Sequence, residues 1–323
     1  MGVGTAALAS LLGRDAFAAS PPLSPSLPPP VRRPVPGLPD LPHFAPKAKR
    51  VIYLCQNGAP SQYESFDYKP MLNKMAGQDL PDSIRGTQRL TGMTASQDKF
   101  PLVGSYYNFK QHGKSGTYIS EIFPHIGSIA DDICVIRTMS TDAINHDPAL
   151  TFLQTGAQVG NRPSMGAWMS YGLGSENKNL PAFCVLLSRG RGNGQGVYSK
   201  LWTNGFLDST HQGVVFSSSE DPILYLNDSD GIDKAGRRRM LDQLAELNHE
   251  GFAENKDPEV EAKVQQYEMA YRMQTAVPEL TDLSKEPDHI IKMYGPECLV
   301  PGTYAANVLL ARKLSESGVR FVQ

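Results

Sequence analysis

Short apolar runs alternate with segments of helical spacing along the body of the chain. Apolar runs bounded by turn residues predict buried strands at Arg50–Cys55, Ile133–Arg137 and Ala182–Leu187. Between these runs, apolar residues recur every three or four positions, which predicts helices at Ile122–Ala130, Pro148–Thr155 and Met165–Tyr171. Alternating strands and helices are typical of an α/β fold with a mainly parallel sheet flanked by helices.

The last third of the chain has a different pattern. Residues 231–317 are largely of helical spacing, and the helix predicted at Tyr304–Ser317 ends at Gly318. Val319–Gln323 has the pattern expected for the first residues of another buried strand. We therefore expect the α/β domain, predicted over residues 47–323, to be incomplete at its C-terminus, and this chain as it stands to be inactive as an enzyme.

The first 46 residues are unlike the rest. Residues 1–20 contain a short apolar stretch followed by small residues, as in an export signal, although no basic residue precedes the stretch. Residues 21–46 hold nearly half of the chain's 25 prolines, which excludes helix and sheet and predicts a semi-rigid tether. The protein is expected to be exported, either to the periplasm or outside the cell.

Composition narrows the function classes. The chain has 31 basic and 33 acidic residues, a formal net charge of −2, so it lacks the basic excess of a nucleic-acid-binding protein. It contains no apolar run of the roughly 18–20 residues that cross a bilayer. Its four cysteines are widely spaced and predict neither a zinc module nor a disulfide framework.

In a parallel sheet, functional residues gather where the strands end. After Ile133–Arg137, a polar loop leads through Asn145, His146 and Asp147 into a helix, whose first turn carries free N–H groups and partial positive charge. An imidazole beside a carboxylate supplies a metal ligand or an acid–base group. The same residues also suit a helix cap and an ordinary loop.

Two further loops follow predicted strand ends. Arg189 and Arg191 lie in a glycine-rich loop and are suited to binding sulfate, phosphate or carboxylate groups, although the loop equally fits a flexible surface segment. Asn57 and Ser61 follow the first strand and either face a substrate or form a turn. Ser61 does not lie in the G-x-S-x-G motif of a hydrolase nucleophile.

Several segments resemble the DUF1501 family, exported proteins placed among the sulfatase-like members of the alkaline-phosphatase superfamily. The resemblance covers about residues 47–323, and the segments that carry it are RVIYLCQNGAPSQYESFDYKP, DDICVIRTMSTDAINHDPALTFLQTG, RPSMGAWMSYGLGSENKNLPAFCVLL and LLARKLSESGVRFVQ. It implies a sulfatase-like α/β fold and a twin-arginine-like export signal whose basic start is missing here.

Compared with the sulfatase motif, Pro148 takes the place of the motif proline and His146 that of the cysteine converted to formylglycine. Residues 56–58 (Gln-Asn-Gly) replace the superfamily's paired aspartates. The family's Asp-His-His-type segment, expected after the strand that starts at Val319, is absent from this chain. By this comparison, the chain keeps the helix N-terminus of the sulfatase motif but lacks its usual nucleophile.

Two hypotheses follow. The first is an exported sulfatase-like hydrolase of sulfate or phosphate esters, small molecules or glycans, in which His146 is a nucleophile or metal ligand and Asp147 a ligand or acid–base group. Asn57, Ser61, Asn145, Arg189 and Arg191 would bind substrate, and the metal would be zinc through imidazole or calcium through carboxylate oxygens. The alternative is a non-catalytic extracytoplasmic binding protein on the same fold, for anionic glycans.

Overall fold

The computed structural model describes residues 45–87, 90–92, 94–188, 198–216, 223 and 231–323. The predicted export signal, nearly all of the Pro-rich tether and the predicted anion-binding Arg189 and Arg191 lie outside these residues. Contacts divide the chain into two units, Met1–Ala48 and Lys49–Gln323. All the elements below belong to the second unit.

The strands of the described residues are β1 (Val51–Ile52), β2 (Phe109–His112), β3 (Thr117–Ser120), β4 (Phe183–Leu186), β5 (Val214–Phe216) and β6 (Phe321–Val322). The helices are α1 (Gln62–Ser65), α2 (Pro70–Lys74), α3 (Asp82–Arg85), α4 (Pro124–Ser128), α5 (His146–Thr155), α6 (Met165–Leu173), α7 (Lys234–Asn255), α8 (Pro258–Thr281), α9 (Asp288–Tyr294) and α10 (Tyr304–Glu316). Short 3₁₀ turns occur at Ser199–Trp202, Ser209–His211, Leu283–Lys285 and Pro296–Leu299.

A parallel sheet lies at the centre of the fold. Within the described residues its strand order is β1–β6–β4–β5, and β2 and β3 form a separate antiparallel hairpin. Phe321 of β6 pairs with Val51 on one side and with Phe183 on the other. The prediction of an α/β fold with a mainly parallel sheet is thus confirmed. The strands predicted in Arg50–Cys55, Ala182–Leu187 and Val319–Gln323 are present in shorter form.

Successive strand residues point to opposite sides of the sheet. Both faces of the sheet are buried, each in its own core. Cys184 and Val322 face one core, which α8 and α10 cover with residues such as Val277, Leu310 and Leu314. The other core contains Phe183, Val185 and Phe321 of the sheet, with Leu150 from α5 and with Leu201 and Trp202 from a 3₁₀ turn. Coverage on both faces accounts for the continuous apolar sequence of β4.

The helices that flank the sheet begin and end at recognisable signals. The Ser164 side chain accepts a hydrogen bond from the Ala167 N–H at the start of α6, and Thr303 accepts one from the Ala306 N–H at the start of α10. Helix α5 ends at Gly156, whose φ of 74° is in the left-handed region that glycine adopts without strain.

The predicted strand at Ile133–Arg137 is wrong. This segment forms no helix or strand, and its residues make no backbone hydrogen bonds with the described part of the chain. Cys134 is exposed and the side chain of Ile136 is 64% exposed. An apolar run becomes a strand only where it pairs with the backbone of a neighbouring strand. Ile133–Arg137 pairs with neither of the outer strands of the described sheet, β1 and β5.

Residues 231–317 carry the long helices α7 and α8, which pack against each other. Arg238 of α7 donates to Glu268 of α8 (Nη1–Oε2 3.0 Å), and this contact is the main cause that lowers the pKa of Glu268. In the part of the chain that the structure describes, no helix has the length and apolar content needed to span a membrane.

Candidate functional site

A cavity of about 350 Å³ opens where β1, β4 and β6 end. Its volume lies near the lower limit of small-molecule sites, roughly 300–1,000 Å³. Segments far apart in sequence build it, because parallel strands deliver their carboxyl ends to one edge of the sheet. Its lining includes Tyr53, Cys55, Asn57, Gln154, Val185, Leu186, Ser188, Leu201, Trp202, Tyr304, Asn307, Val308, Val322 and Gln323.

Gln154 is the most unusual residue of this lining. Helix α5 turns Leu150, Thr151 and Gln154 towards the protein interior, and Leu150 packs in the apolar core beside Phe183. Gln154 follows Leu150 by one turn and is 1% exposed, yet neither its Oε1 nor its Nε2 has a hydrogen-bond partner among the described residues. Such a buried amide costs about 1–3 kcal/mol when its hydrogen bonds are unmade.

Two further amides line the cavity from other elements. Asn307 lies on the buried face of α10, where its Nδ2 donates to Ser188 Oγ (2.9 Å) and its Oδ1 has no partner in the described structure. Gln323 follows β6, and its side-chain Oε1 also lacks a described partner. Three amide residues thus line the cavity, and their unpartnered side-chain atoms are themselves buried.

The remaining lining is apolar or aromatic. Trp202, 7% exposed, and Val185 belong to the same buried cluster as Leu150. Burial raises the pKa of Tyr53, and its contact with Cys55 adds to the rise. Among the described lining residues there is no Asp, Glu, Lys, Arg or His side chain. The described lining is therefore mainly apolar, with a few amides and no charged side chain.

Of the residues predicted to bind substrate, Asn57 lines this cavity. Ser61 does not, since it is exposed at the start of α1, where its carbonyl oxygen accepts a hydrogen bond from Ser65 Oγ (2.8 Å). Arg189 and Arg191 lie outside the described residues, but Ser188, which precedes them in the chain, does line the cavity.

Asn145, His146 and Asp147 lie together and exposed at the start of α5, as the sequence predicts, but none of them lines the cavity. Gln154 follows His146 by eight positions, which is about 12 Å along a helix axis. Asn145 instead borders a separate hollow of about 370 Å³ beside Thr91 and Asp142.

Asp147 has a partner that the sequence did not indicate. Lys200, from the 3₁₀ turn Ser199–Trp202, places its Nζ 2.6 Å from Asp147 Oδ1. Both side chains are partly exposed, so this ion pair contributes little to stability. It does add a cation beside the first turn of α5, next to the exposed His146.

The zinc or calcium site at His146 and Asp147 stays a prediction. No group of three or more His, Cys, Asp or Glu side chains in them is arranged to hold a metal ion. His146 and Asp147 would need further ligands from outside the described ranges to form a closed set.

A second buried polar contact lies away from the cavity. Ser170 Oγ of α6 lies 3.0 Å from His211 Nδ1, and the ring of Tyr171 packs edge-on against the imidazole with centroids 5.5 Å apart. Burial lowers the pKa of His211, while the Asp208 carboxylate opposes the shift. The contact attaches the 3₁₀ turn Ser209–His211 to α6.

We expect this contact to make stability depend on pH. In the unfolded state His211 takes up a proton at about pH 6.5, whereas in the folded state it does so only at lower pH. The stabilisation is therefore complete above about pH 6.5 and is lost as the pH falls towards the lowered folded pKa. Urea denaturation at pH 7.5 and 5.5 should show a larger loss in the wild type than in His211→Gln. Equal losses in the two proteins would contradict the assignment.

Fold and cavity together define an α/β protein with a cavity at the carboxyl edge of a parallel sheet. The model of the family described as "Protein of unknown function (DUF1501)" matches residues 48–323, and the chain belongs to this family. The comparison with curated proteins and the comparison with solved structures gave no match.

Proposed function

We propose that this DUF1501 protein is an exported protein that binds a small polar molecule in the cavity at the strand ends. The observation that carries the proposal is the cavity of about 350 Å³ itself, which opens at the ends of three parallel strands and has amide residues such as Gln154 and Asn307 among its apolar lining.

The position of the cavity supports the same function. Ligands of open α/β sheets bind outside the carboxyl ends of the strands, where the strand order reverses. Here the chain passes from β4 to β5 on one side and returns to β6, which lies between β1 and β4. The cavity lies over the ends of β1, β6 and β4.

Ester hydrolysis on a sulfatase-like fold is the second candidate, favoured by the exposed His146 beside the Asp147–Lys200 ion pair at the start of α5. An imidazole nitrogen of His146 would attack sulfur or phosphorus while the bond to the leaving alcohol breaks, and water would then cleave the N–S or N–P bond. Arg189 and Arg191 would hold the anionic ester. Export, in either case, rests on the signal-like residues 1–20.

The two candidates predict opposite effects of two substitutions. Thermal shifts would be measured with monosaccharides, amino acids, nucleosides and their sulfated or phosphorylated forms, and hydrolysis with 4-nitrophenyl sulfate and phosphate in the presence of zinc or calcium. We expect at least one compound to raise the melting temperature, and Gln154→Met, but not His146→Ala, to abolish that shift.

A ligand-induced shift that survives Gln154→Met would contradict binding in the cavity, as would the absence of any shift. Hydrolysis that His146→Ala abolishes and Gln154→Met retains would instead establish the second candidate. Gln265→Met provides the matched control, since Gln265 is exposed on α8 and remote in sequence from every lining residue.

A further inference from the structure

We propose that helix α7 is the surface through which two copies of this chain form an antiparallel dimer. The proposal does not depend on the cavity or on what binds there. It follows from two features of the helix. One is an exposed row of apolar side chains, and the other is an order of charges that a single helix disfavours and a second, antiparallel copy complements.

Three large apolar side chains form a row along one side of α7. Met240, Leu244 and Leu247 are 51%, 37% and 65% exposed. They follow one another at intervals of four and three residues, which is the spacing of a contact row between two helices. Arg238, which contacts α8 through Glu268, lies on a different side of the helix. The row, called the apolar stripe below, is therefore not the side that α7 uses to pack on α8.

The charges of α7 are ordered against the dipole of the helix. A helix has partial positive charge at its N-terminus and partial negative charge at its C-terminus. Helix α7 nevertheless has no acidic residue in its first turn and no basic residue in its last. Its basic residues come first and its acidic residues afterwards: Lys234, Arg237, Arg238 and Arg239, then Asp242, Glu246, Glu250 and Glu254.

Some of these charges lie beside the apolar stripe without a partner in the described structure. Arg239, Glu246 and Glu250 are exposed, and none of them forms an ion pair with another described residue. Arg239 and Glu246 each precede a stripe residue, Met240 and Leu247, by one position, which is about 100° around the helix. Arg239, Glu246 and Glu250 follow one another at intervals of seven and four residues, so they form a second row next to the stripe.

A two-fold axis close to Leu244 complements both rows at once. In a symmetric dimer the same surface of each copy meets itself. If two α7 helices run antiparallel with Leu244 facing Leu244, Met240 of one copy faces Leu247 of the other, because the two lie four residues before and three after the axis. Arg239 of one copy then lies near Glu250 of the other, five residues before and six after it.

The antiparallel direction follows from the charges. It brings the basic part of each α7 against the acidic part of the other, and it opposes the two helix dipoles. A parallel pair would instead bring basic residues against basic ones and acidic against acidic, which weakens association. The charge order that is unfavourable in one helix is thus favourable in the pair.

The extent of this surface predicts a weak dimer. The 22 residues of α7 span about 33 Å. Only three large apolar side chains lie along this length, so the contact belongs to the small end of specific interfaces. We therefore expect monomer and dimer to coexist and the dimer fraction to rise with protein concentration.

The first experiment is sedimentation velocity of the whole 323-residue chain at about 1 to about 200 µM, where a weak dimer becomes populated. Leu244→Lys places two like charges at the two-fold axis and should abolish the dimer. Met293→Lys is the matched control, since Met293 is 74% exposed on α9 and should leave the dimer unchanged. Lysine has a good helix propensity, so neither substitution at these exposed positions disfavours its helix.

The second experiment exchanges charges. Arg239→Glu or Glu250→Arg alone places like charges together twice in the dimer, and each should raise its dissociation constant at least about fivefold. The double variant restores opposite charges and should recover wild-type association. Each single change improves the match between the charges of α7 and its own dipole, so loss of the dimer is not explained by a weakened helix.

The third experiment tests the register. In a Cys134→Ser background, which removes an exposed native thiol, Leu244→Cys should form a disulfide between two copies under mild oxidation. Leu247→Cys should not, because two copies of residue 247 lie about 10 Å apart along the helices, beyond disulfide reach.

Three results would overturn the proposal. A chain that stays monomeric at every concentration would show that α7 is not an interface between copies and would leave the apolar stripe to another segment or another partner. A dimer that survives Leu244→Lys would have its interface elsewhere. Absence of recovery in the charge-exchanged double variant, or equal crosslinking of Leu244→Cys and Leu247→Cys, would contradict the antiparallel pairing.

Discussion

Gln154→Met raises the stability of the ligand-free protein by about 1–2 kcal/mol, because the substitution removes a buried amide that lacks partners in the described structure. Methionine is unbranched like glutamine and has a similar helix propensity, so it fills the same space on α5 with little change in packing or backbone preference. A gain in stability combined with a loss of binding is the usual signature of a residue retained for function.

The measurement is urea unfolding at pH 7.5, with Gln265→Met as the matched control on the exposed surface of α8. The control substitution should change the free energy of unfolding by less than about 0.5 kcal/mol. A destabilised Gln154→Met protein would show that the amide contributes to the stability of the fold.

Gly166→Ala destabilises the protein by about 2–3 kcal/mol, because α6 packs there directly onto the sheet. A Cβ at Gly166 would lie 2.5 Å from Cε2 and Cζ of Phe183, far inside van der Waals contact. The Phe183 ring is 1% exposed and cannot move aside, since it packs edge-on against Phe321 with centroids 5.4 Å apart. On its far side, Gly213 leaves room for the same ring.

The same helix offers the control. A Cβ at Gly172 would meet nothing within 4 Å, so Gly172→Ala should stabilise the protein by about 0.5–1 kcal/mol through helix propensity alone. Both variants are compared with the wild type by their urea midpoints at unchanged m-value. Shifts of the same sign in the two variants would contradict the close packing of α6 on β4.

The sequence predicts the sheet where a strand is buried on both faces and has partners on both sides. Ala182–Leu187 has these properties, and the structure places β4 within it. Ile133–Arg137 has the same apolar, β-branched composition but forms no strand. Local composition measures how well a segment suits a buried strand, whereas backbone pairing depends on distant segments that a local pattern does not contain.

The site was predicted less well than the fold. The strand-end argument led to Asn57, which lines the cavity, but it gave most weight to the titratable residues 145–147, which do not. Gln154 and Asn307 were missed. Each lies on the buried face of its helix: Gln154 four residues after Leu150, and Asn307 three residues before Leu310. A polar residue at a position where the helical pattern expects an apolar one was the signal that could have identified them.

Lys200 could not have been found from the sequence. It lies 53 residues after Asp147, and nothing in its local pattern indicates an ion pair. Such a contact arises only when α5 and the 3₁₀ turn Ser199–Trp202 pack together on the same face of the sheet.

The placement of β6 between β1 and β4 has a consequence for biogenesis. This strand follows all the others in chain order, yet it occupies an interior position of the sheet. Until it is inserted, β1 has no described neighbour and the cavity lacks its middle wall, so the cavity forms only when β6 pairs with β1 and β4. Any molecule bound in the cavity would stabilise only those states in which β6 is already in place.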